Sequence, residues 1–240
     1  MPLRRFGTRH QAIVRLTHWS TTLCVCALLV SGIEILISHP RFYWGETGNV
    51  LTPALFSIPI PSSRPTVPTG YDYVLPDANG WSRYLHFEAA WALVLTSAVY
   101  LLWGFVSGHF RRNLLPGAAD RTWQAVVRDV KNHLRFTNAD EDTWSYNLLQ
   151  RLSYLVVIFA VCPLLVWTGL ALSPAFDSAI PTAVSILGGR QSARTLHFFL
   201  SVSLVVFVLV HVAMVWLAGF RHRMIAMITG RVPAGQEERV

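Results

Sequence analysis

The chain has 240 residues, 52% of them hydrophobic and only 14% charged, where a soluble domain carries about a quarter charged residues. This is a membrane composition, and it sets a soluble globular domain aside. The formal charge of +7 does not indicate nucleic acid as a partner, because in a membrane protein what matters is where Lys and Arg sit.

Residues 1–11 are basic (Arg4, Arg5, Arg9) and lead into an apolar run from about Ala12 to Ile37. Its length of roughly 26 residues, and the absence of a small-residue cleavage site, predict a retained span rather than a signal peptide. RLTHW places His18 near its start. The stretch 38–82 is too long for a simple connection and is rich in proline and in aromatics such as Tyr43, Trp44, Tyr71 and Trp81. An interfacial aromatic belt and a docking surface for a partner explain it equally well.

A second span is expected over 83–108, with His86 in RYLHF at its start. The connection 109–147 mixes basic residues with an acidic cluster, Asp140 to Asp142, and reads as a solvated segment, amphipathic between Arg121 and Phe136. A third span follows over 148–172 and a fourth over 195–220. Cys24, Cys26 and Cys162 all lie in apolar runs, so no disulfide framework or zinc site is readable. There is no C-x-x-C-H, so any haem here is non-covalent. All Lys and Arg except Arg41, Arg64, Arg83, Arg190 and Arg194 fall at the amino end, in 109–147 with its flank, or in the tail. Both termini are therefore expected in the cytoplasm, in a single membrane domain of four spans.

The fourth span carries His197 and His211, 14 residues apart. At ~100° per residue this spacing closes to within ~40° of four full turns and rises ~21 Å, so both imidazoles share one helix face. Ionisable side chains inside a span are disfavoured, and they usually face the bundle interior as functional groups. In the predicted topology His18 lies at the depth of His211, and His86 at the depth of His197. Paired imidazoles at two depths suit two b-type haems, each held by axial side chains on opposite faces of a planar macrocycle. A proton relay is a poorer match, because Ser201, Leu204 and Val208 separate the two histidines on that face. Zinc needs four ligands together rather than two and two. Gly32, 14 residues beyond His18, and Ala89 and Ala90, beside His86, leave room for a macrocycle to approach or simply serve close helix packing.

RLTHW, RYLHF, the His197–His211 spacing, YNLLQR (Tyr146 to Arg151) and TGLALSP (Thr168 to Pro174) together resemble one family. It is the four-helix di-haem cytochrome b subunits of bacterial nickel-iron hydrogenases, formate dehydrogenases and thiosulfate reductases, related to cytochrome b561. SHPRFYWGETGN (Ser38 to Asn49) looks most like the thiosulfate-reductase-type branch. The resemblance implies a helical bundle with two b haems, one bound by His86 and His197 and the other by His18 and His211. It also implies a quinone site in which Asn147 hydrogen-bonds a quinone oxygen, although Asn147 equally suits a helix cap. The implied function is electron transfer between the quinone pool and a periplasmic redox partner, a molybdopterin oxidoreductase. A self-contained quinone-linked oxidase of the superoxide type and, further off, a non-redox transporter are the rival readings. Arg15, Arg83 and Arg194 suit haem propionates or interfacial anchoring, while Glu34 and Glu88 suit proton handling or water networks.

Overall fold

The computed structural model describes residues 10–49, 51–60, 79–116, 122–124, 127, 131, 148–217 and 219–230. In chain order the main elements are α1 (Ala12–Ser38), a two-residue ladder of β1 (Arg41–Phe42) and β2 (Phe56–Ser57), α2 (Asn79–Val106) and α3 (Leu148–Ala171). The short helices α4 (Pro174–Ala179) and α5 (Pro181–Ser185) follow, then α6 (Arg190–Leu217) and α7 (Phe220–Thr229). Among the described residues four helices, α1, α2, α3 and α6, are long and apolar enough to cross a membrane. The described residues are thus mostly helical, with the four apolar spans that the hydropathy pattern predicts. Helices suit a bilayer because they satisfy their backbone groups within the segment. Apolar side chains such as Leu23 on α1 and Val206 and Leu209 on α6 stay exposed in the isolated chain, where lipid would cover them.

Backbone chemistry sets the helix ends. α2 starts four residues before the expected Arg83 and stops at Val106, ahead of Gly108, whose φ is +68°. α6 starts at Arg190, directly after Gly188 and Gly189, and stops at Leu217, two residues before Gly219 at φ +94°. Within α3 the Cys162 N–H bonds to the Val157 carbonyl, five residues back, forming one wide turn. Pro163 follows immediately and has no N–H to donate, so the ladder widens where proline would otherwise break it. Hydroxyls inside the spans donate back to their own helix, as Thr17 does to the Ile13 carbonyl at 2.8 Å and Ser201 to that of His197 at 2.7 Å.

The chain divides into two compact units. The unit of residues 19–96 and 163–206 carries the described part of the predicted 38–82 loop, and the start of α6 fastens it. Thr195 Oγ1 donates to the Tyr43 carbonyl at 2.7 Å, and Arg194 donates to the carbonyls of His39 at 2.5 Å and Arg41 at 2.8 Å. The Arg194 guanidinium also sits 5.2 Å from the Phe42 ring centre, and Phe42 stacks on Phe56 at 4.6 Å. The Gly45 N–H donates to Ser192 Oγ at 2.7 Å, while that hydroxyl donates to the Gly188 carbonyl at 3.0 Å. Gly189, at φ +101°, has no space for a side chain, since a Cβ there would lie 2.8 Å from the Glu46 backbone nitrogen. Of the aromatics in this stretch Tyr43 is buried and Trp44 exposed, so its described part is folded against α6 with some apolar surface outward.

Ser192 is fully buried at the centre of this fastening. Ser192→Ala leaves the Gly45 N–H without its acceptor, at a cost of about 1–3 kcal/mol. The expected result is a lower melting temperature of the detergent-solubilised protein, with the histidine-bearing helices unchanged in helical content.

In the unit of residues 1–18, 97–162 and 207–240, a wide-turn segment at Phe110–Leu114 meets the start of α3. Phe110 lies 5.1 Å from Phe105 and 5.3 Å from Phe159, and its ring fills the space at Gly104 that a Cβ would occupy. Arg151 Nη1 donates to the Leu115 carbonyl at 3.5 Å, and Arg15 Nη1 to that of Ile228, beside the end of α7, at 2.6 Å. The acidic cluster, Asn147 and most of the predicted amphipathic stretch lie outside the described residues.

Candidate functional site

The four span histidines meet in two pairs. The rings of His86 on α2 and His197 on α6 lie 6.3 Å apart between centroids, and those of His18 on α1 and His211 on α6 lie 6.4 Å apart. A metal held between two imidazole nitrogens at about 2.0 Å each, with each ring centre about 1.1 Å further on, separates the centroids by about 6.2 Å. Both pairs therefore have the spacing of two axial ligands to one ion. Among the described residues no group of three or more His, Cys, Asp or Glu comes together, so the donor sets are imidazole pairs rather than a tetrahedral cage.

The His86/His197 pair is held from behind by two hydroxyls. Ser31 Oγ, on α1, lies 3.0 Å from His86 Nδ1, and Thr168 Oγ1, on α3, lies 3.0 Å from His197 Nδ1. Each hydroxyl spends its own hydrogen on its helix, Ser31 on the Ala27 carbonyl at 2.7 Å and Thr168 on that of Leu164 at 2.7 Å. A hydroxyl oxygen that donates to its helix is left to accept from the imidazole, so the geometry favours the Nδ1–H tautomer in both rings. That leaves each Nε2 lone pair as the ligating position.

The next residue along each helix is a glycine. A Cβ at Gly32 would lie 3.7 Å from His86 Cε1, and one at Gly169 only 3.3 Å from His197 Cε1. Gly32 thus makes room for the imidazole edge as well as for whatever lies beyond it. Both hydroxyl-bearing residues, Ser31 and Thr168, are fully buried.

The His18/His211 pair is built differently. Tyr154 Oη lies 3.4 Å from His211 Nδ1, and the Phe207 ring, one turn earlier on α6, packs 5.9 Å from the His211 ring. Arg15 and Arg194, offered by the sequence as propionate partners, each donate to backbone carbonyls. Arg83 and Glu88 are exposed. His109, outside the spans, lies 4.8 Å from the Trp103 ring, and its Nδ1 is 2.9 Å from Asn113 Nδ2. Burial, with the Arg112 guanidinium nearby, holds this imidazole below its ordinary pKa. Tyr146 and Asn147 lie outside the described residues, so of their motif only Leu148 to Arg151 are placed.

The sequence brings out the four histidines and Gly32 and, in TGLALSP, Thr168 and Gly169 without a role, while Ser31 and Tyr154 go unremarked. A signal was available in the two dipeptides, Ser31–Gly32 and Thr168–Gly169. Each puts a hydroxyl and a gap side by side within an apolar helix.

The sequence model of the family described as prokaryotic cytochrome b561 matches residues 9–230. A chain of Azospira oryzae, provisionally described as the protein-methionine-sulfoxide reductase subunit YedZ1, is 31% identical over 92% of this chain and 96% of its own. Chains provisionally described as Ni/Fe-hydrogenase B-type cytochrome subunits, from Azotobacter vinelandii and Cupriavidus necator, are each 24% identical over 85% of this chain, covering 77% and 76% of their own lengths.

Proposed function

Because this chain belongs to the prokaryotic cytochrome b561 family, we propose that it is the membrane subunit of a redox complex. In this reading it holds two b haems and passes electrons between the quinone pool and a periplasmic redox enzyme. His86 with His197 binds one haem and His18 with His211 the other, so α6 supplies one ligand to each. The observation that carries this is the meeting of four span histidines in two pairs at 6.3 and 6.4 Å.

A b haem, when bound, stores and releases one electron at its iron. The rest is the work of this chain. Its paired imidazoles fix the ligands, the apolar helices exclude water, and the hydrogen bonds behind the rings set ligand basicity. Two imidazoles would supply both ligands that a b haem takes from the protein, an arrangement that would suit electron transfer rather than binding a substrate at the metal. Chemistry on a soluble substrate then belongs to the partner. A molybdopterin oxidoreductase is the partner we propose, supported by the likeness to a methionine-sulfoxide reductase subunit and to the thiosulfate-reductase-type motif at Ser38 to Asn49. In this reading the chain sits in the bacterial inner membrane with both termini in the cytoplasm, following the bias of Lys and Arg.

The test is to purify the full chain from haem-sufficient cells and add a quinol. Reduction of b-type bands at a rate set by quinol supports the reading, and a chain without b haem contradicts it. Asn147 is proposed to hydrogen-bond the quinone, since an amide donates to a carbonyl and accepts from a hydroxyl. Asn147→Ala is expected to slow haem reduction by quinol about tenfold, the weight of one hydrogen bond of about 1.4 kcal/mol, with both haems retained. Haem loss in that variant would mark a structural role instead.

A further inference from the structure

We propose that Ser31 and Thr168 are positioning residues that fix the imidazole tautomer of the His86/His197 pair and lower the redox potential of the centre it binds. This rests on the haem-ligation reading above and goes beyond it to two residues that touch neither iron nor quinone. Three observations on the two sides of the pair agree. Each Nδ1 has a hydroxyl oxygen at 3.0 Å. Each hydroxyl already donates to a carbonyl one turn back, at 2.7 Å, so it accepts from the ring. Each is buried at 0–1% exposure, so water does not compete for the same hydrogen.

The consequence follows from charge. An acceptor at Nδ1–H makes the imidazole a better electron donor at Nε2, which favours the more positive, oxidised state of a metal bound there. The His18/His211 pair has a weaker counterpart, the Tyr154 phenol at 3.4 Å from His211 Nδ1. The His86/His197 pair, backed by a hydroxyl on each side, is the site of the two tuning residues.

The experiment is a redox titration of the purified full-length chain, followed by absorbance and by electron paramagnetic resonance, in Ser31→Ala and Thr168→Val against Ser31→Thr and Thr168→Ser. The first two remove the acceptor with little change of volume, and the second two keep it. In Ser31→Ala or Thr168→Val the reduced-to-oxidised ratio of one haem at its wild-type midpoint is expected to rise about tenfold, about 59 mV for one electron. The other haem should not move, and Ser31→Thr and Thr168→Ser should behave as wild type. Loss of that one haem in the acceptor-free variants, with its return in the hydroxyl variants, equally supports positioning. Both haems present with identical midpoints in all four variants would overturn it. A wild-type chain without haem would instead overturn the function on which it rests.

Discussion

Alanine at His197 leaves a chain with one b haem, and alanine at His86 leaves the same one. His18→Ala and His211→Ala each leave the other. The expectation comes from distance: rings 6.3 and 6.4 Å apart match two nitrogens on one ion, and α6 carries one member of each pair. A bis-imidazole centre that loses one ligand keeps only the second and opens a coordination position to water, so the effect is large and specific to one pair. Reduced-minus-oxidised spectra of the four single variants check it, each showing about half the wild-type haem amplitude. If His18 and His86 variants lost the same component, the pairing would be wrong.

Valine at Gly169 is expected to remove the same haem as His197→Ala, although it deletes no ligand. A single added carbon already lies 3.3 Å from His197 Cε1 and 3.7 Å from Nδ1, and valine adds two methyl groups beyond it. The ring must swing away from Thr168, which costs both the hydrogen bond and the aim of Nε2. Overpacking of this kind costs about 1–3 kcal/mol, which weakens retention of that haem roughly tenfold to hundredfold. Gly32→Ala is the contrast. Its Cβ lies at an ordinary 3.7 Å from His86 Cε1, and the haem should stay. The haem-to-protein ratio after detergent washing separates the two variants.

What the sequence made legible was periodic or depth-coded. Four apolar runs of bilayer length gave the spans, and the 14-residue interval between His197 and His211 gave two functional levels on one helix. Matching His18 and His86 to those levels needed only their positions at the starts of α1 and α2. Tertiary approach was not legible. Whether Ser31 bonds to its own helix alone or also to an imidazole 55 residues on depends on how α1 and α2 meet. The same is true of Tyr154, whose place beside His211 depends on how α3 and α6 meet.

The segment after α1 was illegible for a related reason. Its prolines and aromatics left an interfacial belt and a docking surface equally open, and they carried no sign of what fastens it. The buried contacts that organise it come from Ser192, Arg194 and Thr195, some 150 residues later, which composition cannot link to it. Arg194 was also legible only as a charge near a haem level. In the fold its guanidinium serves carbonyls and the Phe42 ring.

The central claim is that one four-span chain holds two b haems on α6. The most direct measurement is the haem content of the purified wild-type chain, taken as the pyridine haemochrome against protein by amino-acid analysis. Two haem b per chain are expected. A ratio of one, or none in protein made with haem in excess, would contradict it.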